Sequence, residues 1–213
     1  MNIGVLGTGV VGQTIGSRLV KLGHNVMLGS RDEANPKAVV WAKQEGRTAS
    51  FGSFADAAAF SEIIINCTLG TASLNALQLA GAENMKGKIL IDTANPIDYT
   101  GTWSLTVSNT DSLGEQIQRA FPDTYVVKTL NTINSSVIVD PEKLLERSDV
   151  FVSGNSADAK ATVSAILRSF GWKSIIDLGD ISTSRAVEMY MLLWRALRVA
   201  TSSHRFNIKV IRS

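Results

Sequence analysis

Glycines at positions 7, 9 and 12 stand between an apolar, β-prone run (Ile3, Val5, Leu6) and a helical pattern (Ile15, Leu19, Val20, Leu22). Strand, tight turn and helix in that order are what a G-x-G-x-x-G dinucleotide loop requires. Gly7 permits the turn, Gly9 keeps a Cβ out of the path of a pyrophosphate, and Gly12 lets the helix pack close to the strand. Free N–H groups and the positive end of the helix dipole then face the phosphates. A glycine-rich turn with no ligand is the competing reading, because the chain has 17 glycines. A second strand over Asn25–Leu28, at the expected distance, favours the nucleotide loop.

At the end of that second strand an NAD-binding unit usually carries an Asp or Glu for the ribose 2′-OH. Here the chain reads Gly29, Ser30, Arg31. A carboxylate would repel a 2′-phosphate, whereas a Ser hydroxyl and an Arg guanidinium hydrogen-bond it, the latter bidentately. NADP is the expected cofactor. Lys37 offers a third positive contact, with Asp32 and Glu33 as rival partners for Arg31.

At 213 residues and 45% hydrophobic content the chain can bury a substantial core, and we expect one domain over 1–213 with 179–213 as a helical extension. A formal charge of +2 with mixed signs leaves no basic stripe for nucleic acid. No apolar run reaches the roughly 18 to 20 residues of a membrane span, and the first strand starts too early for a cleavable leader. One cysteine, Cys67, excludes an internal disulfide, and no Cys/His cluster has metal-ligand spacing. The expectation is a cytoplasmic protein without a metal, a membrane or a nucleic-acid partner.

The pattern downstream alternates strand and helix: helix over Pro36–Gln44, strand over Arg47–Phe51, helix over Phe54–Phe60, strand over Glu62–Cys67, helix over Ser73–Ala80. Strands at Lys88–Asp92 and Thr124–Thr129 flank a helix at Leu113–Phe121. Two further strands, Val150–Ser153 and Ser174–Leu178, enclose a helix at Ala157–Phe170. This predicts an α/β fold with a doubly wound parallel sheet of about eight strands, the Rossmann arrangement, and a C-terminal helix. That last helix, capped by Ser182 or Thr183, reads as apolar on nearly every side, so partial burial at a homodimer contact is expected.

Ligands of such sheets bind beyond the carboxyl ends of the strands. That rule selects Gly7–Gly12, Gly29–Arg31, Cys67–Thr71, Thr93–Pro96 and Leu130–Ile133, segments rich in amides and hydroxyls. Carbonyl reduction generally needs a proton donor near the developing alkoxide, and none is evident: His24 lies in a turn at the opposite edge and His204 in the tail. Lys128 falls on one face of its strand and Asn131 on the other, which argues against a catalytic Lys128. Cys67 sits at a strand end with no base beside it. Hydride transfer to an electron-poor ring is different, because the acceptor delocalises the charge and the protein has only to hold two rings face to face. Gly70, Ala94 and Pro96 leave room for such a stack. Asn95 can bond a carboxamide, although Asn-Pro is also an ordinary turn pair.

The segments GTGVVG, GSR, GKILIDTANP, FPDTYVVKTLNTI, VFVSGNSADAKATV and DLGDISTSRAVEMY together resemble the NADPH-dependent reductases of the deazaflavin coenzyme F420. They equally resemble the cytosolic oxidoreductase domain of STEAP metalloreductases, whose membrane domain, and with it any haem or iron pathway, has no counterpart here. The resemblance implies that Thr8, Gly9, Val10 and Val11 hold the pyrophosphate and that Ser30 and Arg31 hold the 2′-phosphate. It places the nicotinamide by Cys67, Thr68, Leu69, Ala94, Asn95 and Pro96. The acceptor ring, F420 or a flavin such as FMN or FAD, then lies by Gly70, Asn131, Thr132 and Ile133, and no catalytic side chain is implied. The Trp103–Ser112 segment and the Thr201–Ser213 tail match no feature of the family. Two other readings fit the same motifs: a non-catalytic NADP-binding sensor or docking module, and a reductase of the imine or β-hydroxyacid type.

Overall fold

A computed structural model describes residues 1–213. The chain runs β1 (Asn2–Leu6), α1 (Val10–Lys21), β2 (Asn25–Ser30), α2 (Pro36–Glu45), β3 (Ala49–Ser53), α3 (Phe54–Phe60), β4 (Ile63–Asn66), α4 (Gly70–Ala80), α5 (Ala82–Met85) and β5 (Ile89–Asp92). It continues through β6 (Ile97–Asp98), β7 (Ser104–Leu105), α6 (Leu113–Ala120), β8 (Tyr125–Thr129), β9 (Asp149–Gly154), α7 (Ala157–Ser169), β10 (Ser174–Gly179) and α8 (Ser184–Thr201). Eight strands form one sheet in the order β10-β9-β8-β5-β4-β1-β2-β3. The winding direction reverses between β1 and β4, and that switch point opens a crevice at their carboxyl ends.

Alternation along each strand sorts the core into two layers. Ile3, Val5, Val26 and Leu28 face α1 and α2, and Val150 and Val152 face α7, within a cluster of 25 buried residues. Leu6, Ile64, Leu90 and Val126 face α3, α4 and α6 within a cluster of 16. Burial on both faces is why the central strands read as continuous apolar runs.

The sheet departs from the expected parallel arrangement at one seam. β8 and β9 pair antiparallel, while β9 and β10 pair parallel to each other. Parallel neighbours need a crossover of a dozen or more residues, usually helical. Residues 130–148 supply only a 3₁₀ turn at Pro141–Lys143, so the chain folds straight back. Beyond β8, the crossover helix returns only between β9 and β10, as α7.

The C-terminal helix also differs from expectation. Its buried positions form one stripe (Ser184, Val187, Glu188, Met191), and Arg185, Arg195 and Arg198 interrupt the apolar surface. Leu192 and Leu193 are about half exposed. Thr183 stands at the N-cap but makes no capping bond, because its hydroxyl donates to the Asp180 carbonyl and pairs with the Ser153 hydroxyl at 2.7 Å. The preceding 3₁₀ turn is capped instead by Asp180, which accepts from the Ser182 N–H.

The Trp103–Ser112 segment begins in a small antiparallel hairpin formed by β6 and β7. Arg195 of α8 donates to the carbonyls of Thr102 and Trp103 and lies 5.0 Å from the Trp103 ring centroid, while Tyr99 meets Trp103 edge-on. The hairpin is thereby docked on α8. The tail turns back over the start of β9, where the Ile208 carbonyl accepts from the Asp149 N–H and Phe206 stacks at a tilt on Trp194. No helix is long and apolar enough to cross a membrane.

Candidate functional site

A cleft of about 610 Å3 opens at the switch point, within the size range of cofactor sites. Its floor is the loop Gly7–Val11. Gly7 has φ +120°, and a Cβ there would press on the Cys67 carbonyl, so glycine is required. Gly12 is buried behind the loop, where a Cβ would strike the Gly7 carbonyl; it serves helix packing and does not line the cleft. Gly9, at the N-cap of α1, has open space where a Cβ would stand. The first turn of α1 has no side-chain cap and no acidic residue, which leaves its N–H groups for an anion.

At one end the cleft is walled by Ser30, Arg31, Asp32 and Asn35. Asp32 forms no ion pair with Arg31; its carboxylate accepts from the Ala34 N–H at 3.1 Å, and its carbonyl accepts from the Ser30 hydroxyl. The guanidinium therefore has no carboxylate partner. Lys37 is exposed and outside the cleft, and its N–H donates to Asn35 Oδ1, so Asn35 caps α2 and takes the wall position.

At the other end lie Cys67, Thr68, Leu69, Gly70, Thr93, Ala94 and Asn95. Asn66 organises this end: its Oδ1 accepts from the Thr68 N–H and hydroxyl, and its carbonyl accepts from Thr93 Oγ1. A Cβ on Gly70 would collide with the Asn95 carbonyl, so the start of α4 lies directly against the Ala94–Pro96 loop. Pro96 is buried beside the cleft without lining it. Burial pushes the Cys67 thiol up to about 12, although the Thr93 hydroxyl lies 3.7 Å from its sulfur. Only the thiolate is nucleophilic. At pH 8 iodoacetamide should label Cys67 about three orders of magnitude more slowly than free cysteine; labelling of the folded protein at the free-thiol rate would contradict this environment.

A second cleft of about 280 Å3 adjoins the first and shares Val11, Thr93, Asn95 and Tyr99 with it. Asn131, Thr132 and Ile133 line it, opposite Trp103, Met191, Trp194 and Arg198. The Trp194 indole N–H is buried without a partner. Asn95 and Asn131 exchange amide bonds across the boundary: Asn95 Nδ2 donates to the Asn131 carbonyl at 2.7 Å, and Asn131 Nδ2 donates to Asn95 Oδ1 at 2.9 Å. Both polar ends of Asn95 are thus engaged within the protein.

Sequence reasoning missed Tyr99, an exposed phenol at the junction of the clefts, because no strand or helix pattern announces a hairpin so short. It also misjudged Lys128. Leu130 has φ +61°, which breaks the strand alternation and turns Asn131 back to the face that Lys128 occupies. Both reach α8: Asn131 Nδ2 donates to the Val187 carbonyl, and Lys128 Nζ lies 2.7 Å from Glu188. Lys128 also binds Asp92 at 2.8 Å and the Ala94 carbonyl at 2.5 Å. Burial opposes its charge, but the carboxylates of Asp92 and Glu188 outweigh that and raise its pKa, so it remains an ammonium ion. No exposed surface remains on it, and it does not line either cleft.

Residues 2–96 match the family model for NADP oxidoreductase, coenzyme F420-dependent. Over 99% of both chains the structure superposes, with 46% identity and a TM-score of 0.95, on a crystal structure from Arthrobacter sp. FB24 provisionally described as an F420-dependent NADP-reductase. The chain belongs to this family of NADP oxidoreductases. It is 26% identical over 227 residues to the F420-dependent NADP reductase of Methanothermobacter marburgensis, covering 99% of this chain and 98% of that one. It is 28% identical over 186 residues to the rat metalloreductase STEAP3, matching 87% of this chain but spanning only 35% of that protein's length. The glycine loop, the Ser30-Arg31 wall and the Cys67 and Ala94 segments all fall within the span of the family model.

Proposed function

We propose that this NADP oxidoreductase transfers a hydride directly between NADP(H) in the larger cleft and a planar ring acceptor, deazaflavin or flavin, in the smaller one. The observation that carries the reading is the pair of clefts meeting at Val11, Thr93, Asn95 and Tyr99 at the carboxyl edge of the sheet. Bound NADPH supplies the hydride. The α1 amides receive the pyrophosphate, Ser30 and Arg31 the 2′-phosphate, and Cys67–Leu69 with Ala94 and Asn95 the nicotinamide. Asn131, Thr132 and Ile133 floor the acceptor, with Trp103 and Trp194 as apolar walls. F420 is the first acceptor to test, because relatives named for it are matched over nearly their whole length. FMN, FAD and riboflavin follow. We place the reaction in the cytoplasm, and a homodimer contact at the exposed Leu192 and Leu193, which light scattering of Leu192→Glu against wild type reads.

NADPH oxidation followed at 340 nm with each acceptor in turn, and NADH in parallel, tests the reading. Turnover with one ring compound and a strong NADPH preference supports it; tight NADPH binding with no turnover favours a sensor.

A second reading is favoured by Tyr99, whose phenol, its pKa raised by burial, is placed to protonate a carbonyl or imine. General acids contribute about 10²–10⁴-fold. Direct transfer to a ring predicts that Tyr99→Phe retains kcat within about threefold, whereas a hundredfold loss would make Tyr99 a general acid and remove the acid-free mechanism.

A further inference from the structure

Asn66, Asp92, Lys128 and Ser153 stand opposite one another on neighbouring strands β4, β5, β8 and β9, and all four are buried. In-register neighbours share a face, so these side chains form a polar row across the sheet just beneath both clefts. The ammonium of Lys128 is fully satisfied by three acceptors: Asp92 Oδ2, the Ala94 carbonyl and Glu188 Oε1. Each acceptor is itself anchored. Asp92 Oδ1 accepts from Asn66 Nδ2 and from the Ala94 N–H, and Asn66 in turn holds Thr68. The Glu188 carboxylate accepts from the N–H groups of Leu113 and Gly114 at the start of α6.

A fully buried charged triad is a poor source of stability, since desolvation offsets most of its attraction. What it supplies is geometry, because a satisfied charged cluster permits one arrangement of the groups around it. The groups around this one are Thr68 and Ala94, in the wall of the larger cleft, and α8, whose Met191, Trp194 and Arg198 wall the smaller one. The Asn131 amide, which joins Asn95 to the Val187 carbonyl, makes a second tie between the same two walls.

We infer that Lys128 is a positioning residue: it holds the cofactor wall and the acceptor wall at one separation, and Asp92, Glu188 and Asn131 act with it. Hydride transfer is steep in donor-acceptor distance, so a small misplacement costs rate where it costs little in cofactor binding. The inference rests on the two-cleft reading proposed above.

The test uses the full chain and the variant Glu188→Gln, which keeps the shape of the side chain but removes the charge that faces Lys128 and turns one acceptor into a donor. NADPH affinity from fluorescence titration should stay within about threefold of wild type, while the single-turnover rate of hydride transfer falls at least tenfold and acceptor KM rises. Residues that act as a unit are non-additive, so Asn131→Ala combined with Glu188→Gln should lose less rate than the product of the single losses. An unchanged single-turnover rate in folded Glu188→Gln, or multiplicative losses in the double variant, would overturn the inference.

Hydrogen exchange supplies a readout that needs no acceptor and that a merely stabilising contact would not move. Adding NADP to wild type should slow exchange in α8 around Val187–Met191 as well as at Ala94 and Asn95, and in Glu188→Gln the slowing should stay on the cofactor side. If no ring compound turns over in wild type but this difference appears, the acceptor reading fails and the positioning role stands. Equal slowing of α8 in both proteins, or none in either, overturns the positioning role whatever the acceptor.

Discussion

Arg31→Ala is expected to weaken NADPH binding about thirtyfold while leaving NADH binding within about twofold. The side chain lines the cleft without a carboxylate partner, because Asp32 is occupied by the Ala34 N–H. Hydrogen bonds between charged groups, such as a guanidinium on a phosphate, are worth roughly 2 kcal/mol, which converts to that ratio. The difference between the two cofactors isolates the 2′-phosphate, since everything else they present to the protein is the same. Isothermal titration with both cofactors checks it, and equal losses for NADPH and NADH would remove Arg31 from the 2′-phosphate site. High salt should narrow the gap, because an exposed charge contact is screened.

Lys128→Met should be the most destabilising single change in the chain's polar interior. It leaves Asp92 and Glu188 buried without their shared cation, and breaking a buried ion pair on one side costs about 3–5 kcal/mol. For a chain of this size that is a fall in Tm on the order of 10 °C. Neutralising all three residues together, as Asp92→Asn, Lys128→Met and Glu188→Gln, should recover a substantial part of the loss, since the penalty comes from unpaired charge. Thermal unfolding followed by circular dichroism distinguishes the two proteins. A triple variant less stable than Lys128→Met alone would contradict the electrostatic account of the row.

The course of most elements was legible because each carries a local signal. The β-branched run at 62–67 could be only a strand covered on both faces, and the helix at Phe54–Phe60 was readable to the residue. The floor and one wall of the larger cleft were legible for the same reason, since the glycine loop and the Ser30-Arg31 pair are each contiguous in sequence. What escaped was assembled from distant pieces. The reversal at β9 depends on a connection lacking a helix, and the period of the strand itself says nothing of its direction. Lys128 looked like one face of an alternating strand until the left-handed Leu130 brought Asn131 round to join it. Its partners Asp92 and Glu188 lie 36 and 60 residues away, at distances no short-range pattern spans. Tyr99 and Trp103 belong to a hairpin with two-residue strands, too short to show a period. The smaller cleft is therefore the part that needed the tertiary structure, and α8 shows why: its sequence suggested burial all round, yet its arginines dock a hairpin and line a cleft.

Direct transfer between two stacked rings is tested most plainly with NADPH carrying deuterium at C4 and a deazaflavin acceptor, whose reacting ring position is a carbon that retains the label. The account predicts deuterium on the reduced deazaflavin, a primary isotope effect on the single-turnover rate, and no label in solvent. Label washed into water, or turnover insensitive to the isotope and dependent on the Tyr99 phenol, would contradict it.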